Sequence, residues 1–199
     1  TAYRFAPLLE RTISARHNKE RKVYTPRIRD QVVLRALHDV LTRTMEARRP
    51  ESHPPSPRRC ARQVIVKARC AGRLHVARID VRDFYPSIDH DTLLTDLKAL
   101  ELGPIAHALL VQVLTETPHR PLFGDKSSDA LRTKGVPTGI SVASHLAHLF
   151  MAPIDEALSA HEGVTYIRFV DDILIAADSV DRLRGALEQV HGMLGERKL

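Results

Sequence analysis

Three aspartates stand at the ends of apolar, β-branched segments that lie far apart in the sequence. Asp80 follows the segment HVARI, and Asp171 with Asp172 lies between YIRF and ILIAA. Such segments are typical of β-strands, and an acidic pair between two of them indicates a tight turn. Carboxylates held close together repel one another and lose hydration, so they are costly without a cation. Hard oxygen ligands suit Mg²⁺, and two such ions bridged by carboxylates promote in-line displacement at phosphorus.

Neither acidic segment is decisive alone. Aspartate is a common turn residue, so Asp171 and Asp172 could simply close a hairpin. Asp80 is followed by Asp89 and Asp91, which resemble ordinary residues at a helix start. The order of the segments is more informative. A strand with an aspartate and aromatics comes first, then a helix, a glycine-containing turn with a second helix, and finally strand, Asp-Asp and strand.

Apolar patterning around the aspartates predicts an α+β fold, in which an antiparallel sheet is backed by helices. Strands are predicted at QVIVKA, at HVARIDV and on both sides of the Asp-Asp turn. Helical spacing predicts four stretches: residues 30–48 with Asp30 as the N-cap, 91–117 with a break near Gly103, 141–160, and a final amphipathic helix carrying Leu183, Leu187, Val190 and Leu194. Residues 1–29 are basic and weakly patterned, whereas residues 49–59 and 118–134 have loop composition.

Charge is distributed unevenly along the 199 residues, whose net charge is +6. Residues 1–82 contain 20 Lys and Arg against 7 Asp and Glu, whereas residues 83–199 contain 10 against 17. A net of +13 beside a net of −7 indicates a basic lobe for phosphate backbones and an acidic lobe for cations. Two solvated surfaces with a chance bias would give the same counts, so charge alone does not fix the partner.

The two cysteines, Cys60 and Cys70, fit no zinc or redox spacing. Reduced thiols in a cytoplasmic protein are the simplest interpretation, and a disulfide has no support in the sequence. No apolar run is long enough to cross a bilayer, and nothing at the start resembles a signal peptide, so we expect no membrane partner. Because the chain opens on Thr1 and stops in an expected helix, we expect a piece of a longer polypeptide.

The segments IDVRDFYPSI, KGVPTGISVASHLAHL and FVDD, in this order, resemble the three palm motifs of the reverse transcriptase family. The likeness is to its bacterial branch of retron, group II intron and defence-associated, abortive-infection-like enzymes. KERKVYTPRIRDQVVLRAL is similar to that family's fingers segment. The resemblance covers nearly the whole chain and implies a right-hand polymerase. Fingers are expected at residues 1–78 and 92–134 and the palm at 79–91 and 135–199, with the thumb absent.

The resemblance also implies a catalytic triad. It makes Asp80 and Asp171 the main metal ligands, has Asp172 complete the triad, and brings the backbone carbonyl of Val81 towards a metal. Two Mg²⁺ ions are expected, with Mn²⁺ as an alternative. One would activate the primer 3′-hydroxyl, and the other would hold the triphosphate and its leaving group.

Tyr85 lies five residues after Asp80, where family members carry an aromatic under the incoming sugar. A flat ring there would clash with a 2′-hydroxyl, so Tyr85 favours deoxynucleotides and argues against an RNA-making polymerase. The alternative is a core aromatic beside Phe84.

Basic fingers residues of the family contact the triphosphate, and Lys19 with Arg21 aligns with them. Three other basic residues compete for this role or are solvated, namely Lys22, Arg27 and Arg29. Thr138 and Gly139 belong to a turn that would let backbone approach the nucleotide closely.

Four positions depart from the family pattern: Thr138 replaces Gln, His148 replaces Asn, and Phe169-Val170 replaces Tyr-Ala. Thr and His still hydrogen-bond, but with a different reach. The departures leave the aspartates intact and resemble those of defence-associated members, some of which add nucleotides without an ordinary template.

The expected activity is RNA-directed DNA polymerisation, in which dNTPs are added to a 3′-hydroxyl with RNA as template and DNA as product. An antiviral defence role is expected from the resemblance. Template-independent or protein-primed synthesis by the same site is one alternative. A catalytically silent palm that binds nucleic acid as a scaffold is another. The sequence leaves the oligomeric state open.

Overall fold

The computed structural model describes residues 3–14, 20–48, 66, 75–121 and 133–199. The chain divides into two compact units. The first unit comprises Thr1–Arg48 and Tyr85–Leu149, and the second comprises Arg49–Phe84 and Phe150–Leu199. Of the predicted strand QVIVKA only Val66 is described, and it is helical rather than extended; the other five residues lie outside the described ranges. The predicted boundaries of fingers and palm stay predictions.

Strands and helices are interspersed along the described residues. The strands are β1 (Leu8–Ser14), β2 (Glu20–Thr25), β3 (His75–Asp80), β4 (His119–Pro121), β5 (Val164–Phe169) and β6 (Asp172–Ala177). The helices are α1 (Ile28–Arg48), α2 (Phe84–Ser87), α3 (His90–Ala99), α4 (Pro104–Val111), α5 (Ala143–Ser159) and α6 (Val180–Glu196). A π-helical stretch, Gln112–Glu116, continues α4. This composition confirms the predicted α+β class.

The sheet of the first unit has the strand order β2-β1-β4. Strand β1 pairs antiparallel with β2 and parallel with the short β4. Apolar patterning did not predict β1 because its side chains are exposed from Arg11 to Ser14. Backbone pairing, rather than a buried apolar face, therefore defines most of this strand.

Helix α1 contradicts the prediction that Asp30 is an N-cap, because the helix begins at Ile28 and contains Asp30 in its first turn. The Asp30 side chain is fully buried and accepts hydrogen bonds from the Tyr3 hydroxyl at 2.5 Å and the Ala6 N–H at 3.0 Å. It thus ties the N-terminal segment to α1. Local sequence did not reveal this role because the partners lie 24 and 27 residues away.

The predicted break near Gly103 is confirmed. Helix α3 is capped by Asp89, whose carboxylate accepts the Thr92 N–H at 3.1 Å. Helix α4 starts with Pro104, where a missing N–H costs nothing.

The sheet of the second unit has the order β3-β6-β5, and both strand pairs are antiparallel. Helix α6 packs against all three strands. The hydroxyl of Ser179 caps α6 by accepting the Arg182 N–H at 3.3 Å. The fully buried side chains of this unit include Phe150, Ile154, Leu158, Ile173, Ile175, Ala186 and Val190. An antiparallel sheet backed by helices, as predicted, is thereby confirmed.

Across the ranges that the structure describes, no helix combines the length and the apolar character needed to cross a membrane.

Candidate active site

The register of β3 against β6 places Asp80 directly opposite Asp172 at one end of the sheet in the second unit. Opposite residues of an antiparallel pair share a face, with Cβ atoms about 4.5–5.5 Å apart. Exposure along β3 alternates, and Asp80 lies on the exposed side. Two of the three predicted aspartates are therefore neighbours on the open face of one sheet.

Asp171 joins them through the turn between β5 and β6. Phe169 pairs with Asp172, which leaves Val170 and Asp171 as a two-residue hairpin loop. The Val81 N–H donates a hydrogen bond to the Asp171 carbonyl at 3.2 Å, just beyond the end of β3. The structure brings Asp80, Asp171, Asp172 and Val81 together, and their metal-binding and catalytic roles stay predictions.

The turn carries backbone strain at Val170, whose φ is 60°. Of the two turn residues, only the first, Val170, has a positive φ. This pattern matches the type II′ hairpin turn, which usually has glycine at its first position. A β-branched residue in this region is an outlier that costs about 1–2 kcal/mol. Such strain persists where the surroundings over-determine the conformation.

A buried ionic cluster lies on the opposite face of the sheet from the aspartates. The Arg168 guanidinium donates to both carboxylate oxygens of Asp155, from Nε at 2.7 Å and Nη2 at 2.6 Å. Its Nη1 donates to the Val170 carbonyl at 2.8 Å, and the Tyr166 hydroxyl donates to Asp155 at 2.7 Å. Burial, followed by the charge of Asp155, raises the pKa of Tyr166. The phenol therefore remains a donor at neutral pH.

An exposed ion pair lies on the same face as the aspartates. Arg78 donates from Nε and Nη2 to the two oxygens of Asp172, each at 2.8 Å. The hydrogen bond and charge of Asp172 raise the pKa of the Arg78 guanidinium, and the charge of Asp80 adds to this. Sequence reasoning missed Arg78. The available signal was its position two residues before Asp80, which puts both side chains on one face.

Comparison with known proteins decides the family. A model of the family "Reverse transcriptase (RNA-dependent DNA polymerase)" matches residues 14–199. The chain belongs to the reverse transcriptase family. It is 28% identical to the retron Mx65 reverse transcriptase of Myxococcus xanthus in an alignment of length 131, which covers 61% of this chain and 29% of that protein. This relative supports the predicted placement in the bacterial branch of reverse transcriptases.

Solved structures of similar fold include telomerases. Apo telomerase from Candida tropicalis, truncated from its C-terminal domain, has a TM-score of 0.73 at 12% identity, over 94% of this chain and 46% of that one. Telomerase from Candida albicans, in complex with a fragment of telomeric RNA, has a TM-score of 0.72 at 12% identity, over 97% and 40%. These likenesses confirm the fingers-and-palm type of fold. The chain spans less than half the length of each protein it matches here.

The oxygen ligands available at the aspartate cluster suit the divalent ions that reverse transcriptases generally use. Carboxylates and a backbone carbonyl are the hard oxygens that Mg²⁺ takes. Among the residues that the structure describes, however, no three His, Cys, Asp or Glu side chains form a group that could hold a metal ion. The carboxylate of Asp172 is directed to Arg78 instead. Within the described part of the chain, neither the Asp80 nor the Asp171 carboxylate forms an ion pair.

The predicted nucleotide-binding residues fall in the first unit, where the structure brings three of them to one strand. Arg21 lies exposed on β2. The Tyr24 N–H of that strand donates to the Thr138 carbonyl at 2.7 Å, and the Thr138 hydroxyl donates to the Lys22 carbonyl at 2.6 Å. At Gly139 φ is +98°, and an added Cβ would lie 2.7 Å from the Tyr24 carbonyl oxygen. Only glycine fits this reverse transcriptase turn.

The fourth predicted nucleotide-binding residue, Tyr85, lies in α2 and is half-buried. Its carbonyl accepts the Val136 N–H at 2.9 Å, and the Gly135 N–H donates to the Ile88 carbonyl at 2.8 Å. The segment that leads to Thr138 therefore also fixes the backbone at Tyr85. Lys19, the fifth candidate, lies outside the described residues.

Proposed function

We propose that the chain is the polymerising part of a reverse transcriptase, which adds deoxynucleoside monophosphates to a 3′-hydroxyl while copying RNA. The observation that carries the proposal is the register of β3 and β6, which sets Asp80 opposite Asp172 and beside Asp171. Because the chain belongs to the reverse transcriptase family, we interpret this cluster as the metal-binding site for nucleotidyl transfer.

In this proposal Asp80 and Asp171, with Asp172 and the Val81 carbonyl, hold divalent cations, Mg²⁺ or alternatively Mn²⁺. When bound, a pair of such ions supplies charge stabilisation for the attacking and leaving oxygens of the phosphoryl transfer. The protein's own part is to hold carboxylates at the end of a rigid sheet, so that no ligand has to be reorganised during the reaction.

Substrate selection would belong to the first unit. Arg21, together with Lys19, would bind the triphosphate through guanidinium and ammonium donors. Thr138 and Gly139 would present backbone to the nucleotide, and the Tyr85 ring would exclude the 2′-hydroxyl of a ribonucleotide. The contacts of the Thr138–Gly139 turn with β2 support a shared role for these residues.

The proposed partners are an RNA template, a DNA product and dNTPs. The basic excess of residues 1–82 supports a nucleic-acid partner. The retron relative supports the same class of substrate. We extend the proposal to a cytoplasmic location, which is consistent with two cysteines that fit no zinc or redox spacing. We also propose a role in antiviral defence, which is consistent with the departures from the common motif residues.

A second candidate function is favoured by one contact. Arg78 already neutralises Asp172, as expected if this palm binds nucleic acid as a scaffold without catalysing synthesis. Template-independent or protein-primed synthesis would use the same aspartates. The choice of template and primer in the assay therefore distinguishes it from RNA-templated synthesis.

The deciding experiment is primer extension by the full-length protein and its Asp171→Asn variant, on an RNA template with Mg²⁺. We expect deoxynucleotide incorporation by the wild type and a loss of about 10³-fold or more in Asp171→Asn, because one charged ligand is lost. Asp83→Asn is the matched control, since Asp83 is exposed and its φ of 47° suits asparagine equally.

Equal activity of wild type and Asp171→Asn would refute the metal assignment. No incorporation by either, with RNA still bound, would favour the scaffold. Omitting the template or primer separates the remaining alternatives, and replacing dNTPs by NTPs tests the role of Tyr85.

A further inference from the structure

We infer that Arg168 is a positioning residue, which fixes the Asp171 turn from the far side of the sheet and so sets the affinity of the site for divalent cations. Asp155 and Tyr166 hold Arg168 in place. The inference rests on the proposed function, because it assigns a role toward the metal that Asp171 is proposed to bind.

The location of Arg168 excludes direct contact with substrate as its role. Phe169 pairs with Asp172 and therefore shares the face of the aspartates. Arg168 precedes Phe169 on β5, so it points to the opposite face. Its side chain is only 4% exposed. It acts on the site through the backbone of the turn.

The contact with the turn is made at the peptide that leads into Asp171. The Val170 carbonyl, which accepts from Arg168 Nη1 at 2.8 Å, belongs to the same planar unit as the Asp171 nitrogen. The next peptide is held by the Val81 N–H, which donates to the Asp171 carbonyl at 3.2 Å. Both peptides that flank the Asp171 side chain are therefore fixed by hydrogen bonds.

The need for this support comes from Val170. Its φ of 60° is one that valine avoids and glycine adopts freely. A turn with glycine at this position would hold the same shape unaided, whereas the turn with valine depends on an external donor. Arg168 supplies that donor while its other nitrogens are occupied by Asp155.

The orientation of Arg168 is itself over-determined. Asp155 accepts two of its N–H groups in a bidentate fork, and the Tyr166 hydroxyl donates to the same carboxylate at 2.7 Å. A planar fork fixes direction in a way that a lysine ammonium cannot. Partners that orient metal ligands in this way change metal affinity by about 10- to 100-fold when removed.

The test uses Arg168→Lys in the full-length protein, alone and combined with Val170→Gly. The first readout is hydrogen exchange of the Val81 amide in metal-free protein. The second is Mn²⁺ affinity, measured by electron paramagnetic resonance of the free ion. For Arg168→Lys we expect faster Val81 exchange and about 10-fold weaker Mn²⁺ binding. Adding Val170→Gly is expected to return both towards the wild type.

Val190→Ala is the control for general loss of stability, since Val190 is buried in α6 of the same unit. It should lower the unfolding temperature and leave Mn²⁺ affinity unchanged. Wild-type affinity in Arg168→Lys would overturn the inference. So would a loss that Val170→Gly does not restore, because that result identifies a purely structural role.

Two further variants keep the outcome decisive. If Arg168→Lys does not fold, Asp155→Asn takes its place, with the same expected loss and the same rescue by Val170→Gly. Asp171→Asn separates the inference from the proposed function. If it binds Mn²⁺ and incorporates nucleotides like the wild type, the proposed function fails. If it loses both while Arg168→Lys and Asp155→Asn lose neither, only the inference fails.

Discussion

Two arginine–aspartate pairs occupy opposite faces of the same three-stranded sheet. Arg168 binds Asp155 on the covered face, and Arg78 binds Asp172 on the open face, both in a bidentate fork at 2.6–2.8 Å. Their side-chain exposures differ widely, at 4% and 28% for the first pair and 70% and 39% for the second. Solvent competes more strongly with the exposed pair, so the two pairs contribute differently to stability although their geometry is similar.

The difference assigns the two pairs different roles. The covered pair is costly to break because the Arg168 guanidinium would lose its carboxylate while it stays largely shielded from water. The exposed pair contributes about 0–1 kcal/mol and can open at little cost. Arg78 can therefore release Asp172 when another cation competes for it, whereas Arg168 is part of the frame that holds Asp171.

The largest expected effect is that of breaking the covered pair by Asp155→Ala. It leaves the Arg168 guanidinium buried and without its carboxylate, so the free energy of unfolding should fall by about 3–5 kcal/mol. Urea unfolding followed by circular dichroism measures this. A loss below about 1 kcal/mol would place the covered pair in the same energetic class as the exposed one.

A smaller effect is expected from pH, again on the covered face. The pKa of Tyr166 is raised by burial and by Asp155, so its contribution to stability is complete below the unfolded value near 10 and is lost as pH rises further. From pH 10 to pH 11 the wild type should lose about 1 kcal/mol more than Tyr166→Phe does. Parallel stability curves for the two proteins over this interval would show that the phenol ionises as freely in the folded state as in the unfolded one.

The smallest effect on stability is expected for Arg78→Gln, which opens the exposed pair. The free energy of unfolding should change by less than about 1 kcal/mol. Mn²⁺ should bind more tightly, because a cation beside Asp80 and Asp172 has been removed. Arg82→Gln removes an equal charge from the same chain segment and serves as the control. A stability loss as large as that of Asp155→Ala would erase the distinction between the faces.

The sequence was sufficient for the parts of this molecule that local pattern controls. The apolar segments around Asp80 and Asp171 predicted the strands, and the segment order predicted that these residues would meet. Gly103 and Pro104 predicted the break between α3 and α4, because both residues act on their own backbone.

Long-range partners limited the remaining predictions. Asp30 looked like a helix cap but binds Tyr3 and Ala6. Arg168 in an apolar strand was a visible anomaly, since a charge at an inward-facing position needs a partner. That this partner is Asp155 depends on how α5 packs, which no local pattern encodes. The pairing of β1 was likewise missed, because its backbone rather than its side chains defines it.

The hairpin between β5 and β6 contains two residues and nothing more, and this length carries a consequence of its own. Side chains alternate between faces along a strand, so lengthening the loop by a single amino acid could shift β6 by one place along its neighbours. Asp172 would then point into the core, and the residue before it would stand opposite Asp80. Loss of function without loss of the sheet is the expected signature of such an insertion, and it makes this loop a poor place for natural length variation.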